Sequence, residues 1–304
     1  MKFKKTLFRT SLVLIITLSI FYVLFTKIKF FSVVEVLSHA NLLYLLIVLL
    51  LLFAIILITA KRWQIILETI GYNFQYKECF NLIMAAFPLT SITPSKSGDV
   101  IKAYYLKDKI PASKTVGSVI TERMFDVLTL VLFSLIGMMF CEKYELAGVA
   151  FAILICIIAV FLLARAGFDF RLPLKSSWNE KIQNLILSTK LLTRDKRAFF
   201  FIFSYSILIW FISIVQTVMF FYALGINVPL LFTIANIPIA IFIGLVPVTL
   251  GGMGTRDAAI IFLFSEYATS SELLGVGILF SVFRYWLISL IGVPFMRKMV
   301  KDVR

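Results

Sequence analysis

Four short stretches put acids and bases where the surrounding sequence is apolar. Lys96, Gly98, Asp99 and Lys102 lie in "PSKSGDVIK" (94–102), and Glu122, Arg123 and Asp126 in "TERMFD" (121–126). Gly251, Gly252, Gly254, Arg256 and Asp257 lie in "LGGMGTRD" (250–257), and Arg284 stands alone in "SVFRYWLI" (281–288). Two chemistries fit these types and spacings. Basic side chains, with backbone amides freed by glycine at the start of a short helix, bind anions, and phosphate is the obvious membrane anion. The carboxylates can carry a coupling proton or cation, or balance the arginines. Glu122 and Asp126 share a helix face at i,i+4, whereas Asp99 and Asp257 suit helix caps equally well. An ionisable group at bilayer depth costs roughly 2.5–3.5 kcal/mol on insertion scales, so it faces a partner or a water-filled path. For Arg284 the structural version is an ion pair with Asp126 that locks the two halves together; a gating pair would do both jobs.

The elements that carry these residues are membrane helices. Of 304 residues, 61% are hydrophobic and 15% charged, against about half and a quarter in soluble proteins. The longest polar stretch, near Arg165 to Arg197, is too short for a core of its own. A net charge of +14 reads as cytoplasmic loops rich in Lys and Arg rather than as a nucleic-acid surface. Cys79, Cys141 and Cys156 have no CxxC spacing, and His39 is the one histidine; no metal site, cofactor or Ser/His/Asp triad is expected. No GxxxxGK[ST] appears, so ATP-driven transport by this chain alone is not expected.

Spanning segments are expected at Leu7–Thr26, Asn41–Ala60, Thr115–Phe140, Ala147–Ala164, Ala198–Leu224 and Leu273–Met296. Lys61, Arg62 and Glu68 read as anchors at a membrane edge. Cys79–Thr93 and Leu231–Val246 are about 15 and 16 residues long, and both break at polar, glycine-rich corners. Charge arbitrates their fate: with a cytoplasmic N-terminus, only a turn back at "PSKSGD" keeps Lys107, Lys109 and Lys114 inside. The expected fold is an all-α membrane protein of six spanning helices and two oppositely oriented re-entrant hairpins, with both termini cytoplasmic. Repeat one covers about 79–140 and repeat two about 231–296, an inverted duplication of the kind transporters use. Between them an amphipathic linker, about 166–197, sets Trp178, Ile182, Leu185 and Leu192 at helical spacing and is expected on the inner leaflet.

The motifs resemble the flippase-like family named after the transmembrane region of lysylphosphatidylglycerol synthase. "PSKSGDVIKAYYL" is similar to that family's basic-x-Gly-acidic stretch, "VITERMFD" to its Glu-Arg-x-x-Asp helix, "PVTLGGMGTRDAA" to its Gly-Gly-x-Gly-x-Arg-acidic motif, and Arg284-Tyr285-Trp286 to its final helix. Asp99 and Asp257 stand where the family often has glutamate. The resemblance implies a lipid-handling module in a prokaryotic inner membrane. No aminoacyl-transfer domain follows in this sequence, so aminoacyl transfer is not expected. The leading expectation is a non-enzymatic flippase for a lipid with an anionic phosphate headgroup. Lys96, Lys102, Arg123, Arg256, Arg284 and the glycines would hold the headgroup; Asp99, Glu122, Asp126 and Asp257 would couple or gate. The alternatives are a membrane glycosyl- or phosphotransferase using those four acids, and a structural subunit for a lipid-modifying enzyme.

Overall fold

The computed structural model describes residues 14–20, 22–24, 26, 28, 30–166, 176–245 and 248–302; the side chains of 94–96, 176–182, 184 and 185 fall outside that description. The described residues are all-α, with no strand among them. In chain order the elements are α1 (Phe30–Ser38), α2 (Leu42–Thr69), α3 (Tyr76–Ile92), a 3-10 turn (Pro94–Val100), α4 (Ile101–Tyr105), α5 (Ala112–Phe140), α6 (Tyr144–Ala166), α7 (Ser176–Arg194), α8 (Lys196–Ala223), α9 (Leu230–Leu245), a 3-10 turn (Leu250–Gly252), α10 (Thr255–Leu263), α11 (Ser270–Ser281), a π-helical turn (Val282–Leu287) and α12 (Ile288–Asp302). Among the described residues five helices are long and apolar enough to cross a membrane: α2, α5, α6, α8 and the continuous rod Ser270–Asp302. Residues 14–20 and 22–24 of the expected first span are helical, and residues 7–13 of it lie outside the described residues.

The long helices form where the sequence leaves hydrocarbon-length runs, and their ends follow local chemistry. Asn41 caps α2 by accepting from the Leu43 amide, and α2 stops before Gly71, whose φ of 94° a side chain would resist. This corrects the expected boundary at Ala60. Lys61 and Arg62 do not break a helix, and buried Trp63, Ile66 and Leu67 continue the apolar face for two more turns. Arg62 is therefore no edge anchor but is buried, at 2% exposure, while Lys61 and Glu68 stay exposed. At α11, Thr269 and Glu272 close a capping box.

Both polar corners interrupt helices. α3 ends two residues before Pro94, which disfavours helical backbone in its predecessor, and the chain turns back on itself. The hydroxyl of Tyr105 in α4 donates to the Ala85 carbonyl of α3 at 3.3 Å. A Cβ on Gly98 would overlap the Leu89 carbonyl, so the turn closes only with glycine there. α9 and α10 form the second reversal, where Arg256 Cβ approaches Gly244. Gly251, Gly252 and Gly254 have φ of 56°, 76° and 89°, the left-handed region in which L-residues are strained.

The two tips meet. A Cβ on Gly251 would lie 2.9 Å from the Ser91 carbonyl at the end of α3, and the Leu250 amide donates to Thr17 Oγ1 at 3.0 Å. Packing is reciprocal around them. Gly292 of α12 lies tight against the Met84 carbonyl and Pro88 of α3, and Gly137 of α5 against Ala235 of α9. The linker helix α7 is present, with Leu192 buried and the Ser188 hydroxyl donating to the Lys114 carbonyl of α5 at 3.0 Å; the side chains of Trp178, Ile182 and Leu185 lie outside the described residues.

Candidate functional site

Six charges from three parts of the chain converge between α2, α5 and the first tip. The Arg62 guanidinium donates through Nη1 to Asp126 Oδ1 at 2.6 Å and to Ser206 Oγ at 2.7 Å, and through Nη2 to Glu122 Oε1 at 2.7 Å. Lys102 Nζ lies 3.2 Å from Glu122 Oε2 and 3.7 Å from Asp99 Oδ1, and 4.2 Å above the Trp63 ring. Arg123 reaches both sides: Nη2 is 3.0 Å from Asp99 Oδ2 and Nη1 is 3.1 Å from Asp126 Oδ2. Thr90 donates to Asp99 and Trp210 Nε1 to Asp126, at 2.9 and 3.0 Å. Three cations thus balance three carboxylates. Such a cluster holds only as a whole, because removing one member strands a buried charge.

The second tip carries a smaller version. Arg256 Nη2 lies 2.6 Å from Asp257 Oδ1, 2.7 Å from Ser281 Oγ and 3.2 Å from the Gly277 carbonyl. Its guanidinium sits 4.2 Å from the centre of the Phe280 ring. Asp257 also accepts from the Gly254 amide at 2.9 Å, so it caps α10 and neutralises Arg256 together. Asp99 caps no helix end; its partners are Thr90, Lys102 and Arg123.

Arg284 differs from the other cations. It stands in the π-helical turn, and such turns recur at functional sites. Nη1 donates to Gln216 Oε1 at 3.0 Å, while Gln216 Nε2 is held by the Val48 carbonyl at 3.0 Å. Among the described residues no carboxylate lies within ion-pair reach of Arg284. The expected Arg284–Asp126 pair is absent because both Asp126 oxygens are already taken, by Arg62 and Arg123. Four carboxylates (Asp99, Glu122, Asp126, Asp257) face five cations (Arg62, Lys102, Arg123, Arg256, Arg284), a surplus of one positive charge.

Arg123 and Arg284 line one cavity of about 70 Å³ with Asp99, Asp126, Trp210 and Ser91. Arg123 is 28% exposed there, and the buried Ser91 hydroxyl meets no partner. The space suits on the order of five waters, well below the roughly 300 Å³ at which ligand clefts begin. Each clustered carboxylate already faces a cation, and among the described residues no three His, Cys, Asp or Glu are set to hold a metal ion.

Of the residues singled out by sequence, Asp99, Lys102, Glu122, Arg123 and Asp126 come together, and Arg256, Asp257 and Arg284 gather one helix away. The side chain of Lys96 lies outside the described residues. The amides of Gly98 and Gly254 donate within the protein, to Thr93 Oγ1 and Asp257, and Gly98, Gly251 and Gly252 contact neighbouring backbone. Sequence reasoning missed Arg62, Gln216 and Trp210. For Arg62 the available signal was the apolar period running on through Trp63, Ile66 and Leu67; for the other two there was none.

Comparison with known proteins agrees over nearly the whole chain. Residues 10–292 match the family model described as the lysylphosphatidylglycerol synthase TM region. A UPF0104 membrane protein of Methanocaldococcus jannaschii is 24% identical over 296 residues, covering 88% of this chain and 87% of that protein. A UPF0104 membrane protein of Methanothermobacter thermautotrophicus is 22% identical, covering 85% and 86%, and one of Pyrococcus horikoshii 23% identical, covering 85% and 88%. The chain is a multi-pass membrane protein and belongs to the family of the lysylphosphatidylglycerol synthase transmembrane region.

Proposed function

We propose that this protein moves a lipid with an anionic phosphate headgroup across the bilayer, without covalent chemistry. The observation that carries the reading is the surplus guanidinium of Arg284, which lines the same cavity as Arg123 where the two broken segments meet. A half-buried cation in a membrane helix without a counter-charge is costly, and an entering phosphate would supply the missing charge. Arg123, the most exposed of the clustered cations, would exchange Asp99 for the headgroup as the tips part. Lys102 and Arg256 would support it from the two hairpins, and the acyl or prenyl chains would stay in lipid.

In this reading six helices cross the cell membrane: the N-terminal span, α2, α5, α6, α8 and the α11–α12 rod. The α3/α4 and α9/α10 segments enter from opposite faces and turn back, and both termini are cytoplasmic. The reciprocal packing of α3 on α12 and α9 on α5 supports an inverted repeat, 79–140 against 231–296, with the linker at 166–197 on the cytoplasmic side. Rocking of the repeats about the touching tips would widen the cavity toward either leaflet.

The test is transbilayer movement in proteoliposomes holding the purified protein, with a fluorescent anionic phospholipid and a short-chain polyprenyl phosphate compared side by side. One lipid should move, and Arg284→Gln should stop it while the protein stays folded. If neither lipid moves under any pH or ion gradient, the transport reading falls.

A further inference from the structure

We propose that, in the resting protein, a small monovalent inorganic anion of the chloride class sits between Arg256 and Arg284, next to the Arg123 cavity and sharing its Trp210, Arg284 and Tyr285 wall. A cavity of about 10 Å³ lies there, walled by Arg256, Arg284, Trp210, Tyr285, Gly244 and Gly251. A space of this size takes a single small sphere and is far too small for a lipid phosphate headgroup. Two observations favour an anion over water. Arg256 is 2% exposed, and its Nη1 is a guanidinium nitrogen that meets no acceptor. The other nitrogens, Nε and Nη2, are taken by Asp257, Gly277 and Ser281. Arg284 brings a second guanidinium whose described polar partner is the neutral amide oxygen of Gln216.

A water can accept from both donors but cannot offset the surplus charge that these side chains carry. A spherical anion does both, accepting from the guanidinium donors that line the space and neutralising charge. The glycines at 244 and 251 leave the space; a Cβ at Gly244 would press on Arg256. This site does not depend on lipid transport, since its occupant is fixed by the charge balance of the resting protein.

The experiment measures thermal unfolding of the purified full chain in detergent, with sodium gluconate replaced by sodium chloride or bromide at constant ionic strength. The expected result is a saturable rise in Tm of about 2–4 °C at ten times the half-saturating halide concentration. The rise should vanish in Arg284→Gln and in Gln216→Glu. The glutamate is isosteric and supplies the missing counter-charge, so it decides the matter even if Arg284→Gln fails to fold. Lys298→Gln, on the exposed end of α12, should keep the rise. Two results overturn the proposal: no halide-specific rise in the wild-type protein, which leaves the cavity to water, or an undiminished rise in Gln216→Glu, which places the anion elsewhere.

Discussion

Arg62 Nη1 and Asp126 Oδ1 lie 2.6 Å apart although 64 residues separate them. The contact ties α2 to α5 in the protein interior, and Glu122 and Ser206 complete the acceptors around the same guanidinium. Breaking a buried pair from one side strands the other charge and costs about 3–5 kcal/mol. Arg62→Met is therefore expected to lower Tm strongly and the yield of monodisperse protein with it. Arg62→Lys should rescue little, because an ammonium cannot span two carboxylates as the planar fork does. Thermal unfolding in detergent checks both; a neutral Arg62→Met would show that the cluster is not what joins these helices.

Much of this arrangement is readable in the sequence, and the unread part has a common cause. Apolar run length locates the crossing helices, and "PSKSGD" and "LGGMG" mark the breaks because proline and glycine act locally. The pairing of the charges is tertiary. Spacing shows that Glu122 and Asp126 share a face, but nothing along the chain says that Arg62 rather than Arg284 will meet them. Arg62 reads as an edge residue because a basic pair after an apolar run resembles a membrane edge, and only the continuing apolar period argues otherwise. The glycines were read correctly as sites of tight turning. Their neighbours, however, are Leu89, Ser91 and Gly244 backbone, contacts that no local pattern encodes.

Arg284 separates stability from transport. It contributes the surplus charge and its described polar partner is a neutral amide, so Arg284→Gln is expected to leave Tm unchanged or slightly raised while lipid movement falls at least tenfold. Asp126→Asn should behave oppositely in stability, since it leaves Arg62 and Arg123 short of an acceptor. Measuring both quantities on both variants tests the assignment. A large drop in Tm for Arg284→Gln would make that residue structural.

Glycines at the end of α2 and at the tips predict graded costs. Gly71 has φ of 94° and open space around a would-be Cβ, so Gly71→Ala carries backbone strain alone, about 1 kcal/mol. Gly251→Ala adds contact with the Ser91 carbonyl to φ of 56°, and about 1–3 kcal/mol more is expected as the tips are pushed apart. Gly98→Ala has ordinary backbone but meets the Leu89 carbonyl, so its cost is purely steric. Unfolding midpoints should rank Gly71→Ala above Gly251→Ala. Equal values would mean that the tips yield freely and do not bear on one another.

Turning back rather than crossing has a directly measurable consequence. If the α3/α4 segment returns to the face it left, Lys109 and Lys298 lie on one side of the membrane and Glu266 and Glu272 on the other. Lys109, Asp108 and Lys298 do line one groove of about 520 Å³, which favours a common face. Single cysteines at Lys109, Lys298 and Glu266, in a background lacking Cys79, Cys141 and Cys156, can be probed on intact cells with a membrane-impermeant maleimide. Glu266→Cys is expected to label from outside, and Lys109→Cys and Lys298→Cys only after the cells are opened. Labelling of Lys109→Cys from outside would make the first hairpin a single crossing. The inverted repeat would then fall, and with it the rocking mechanism, because the two tips could no longer approach the cavity from opposite faces.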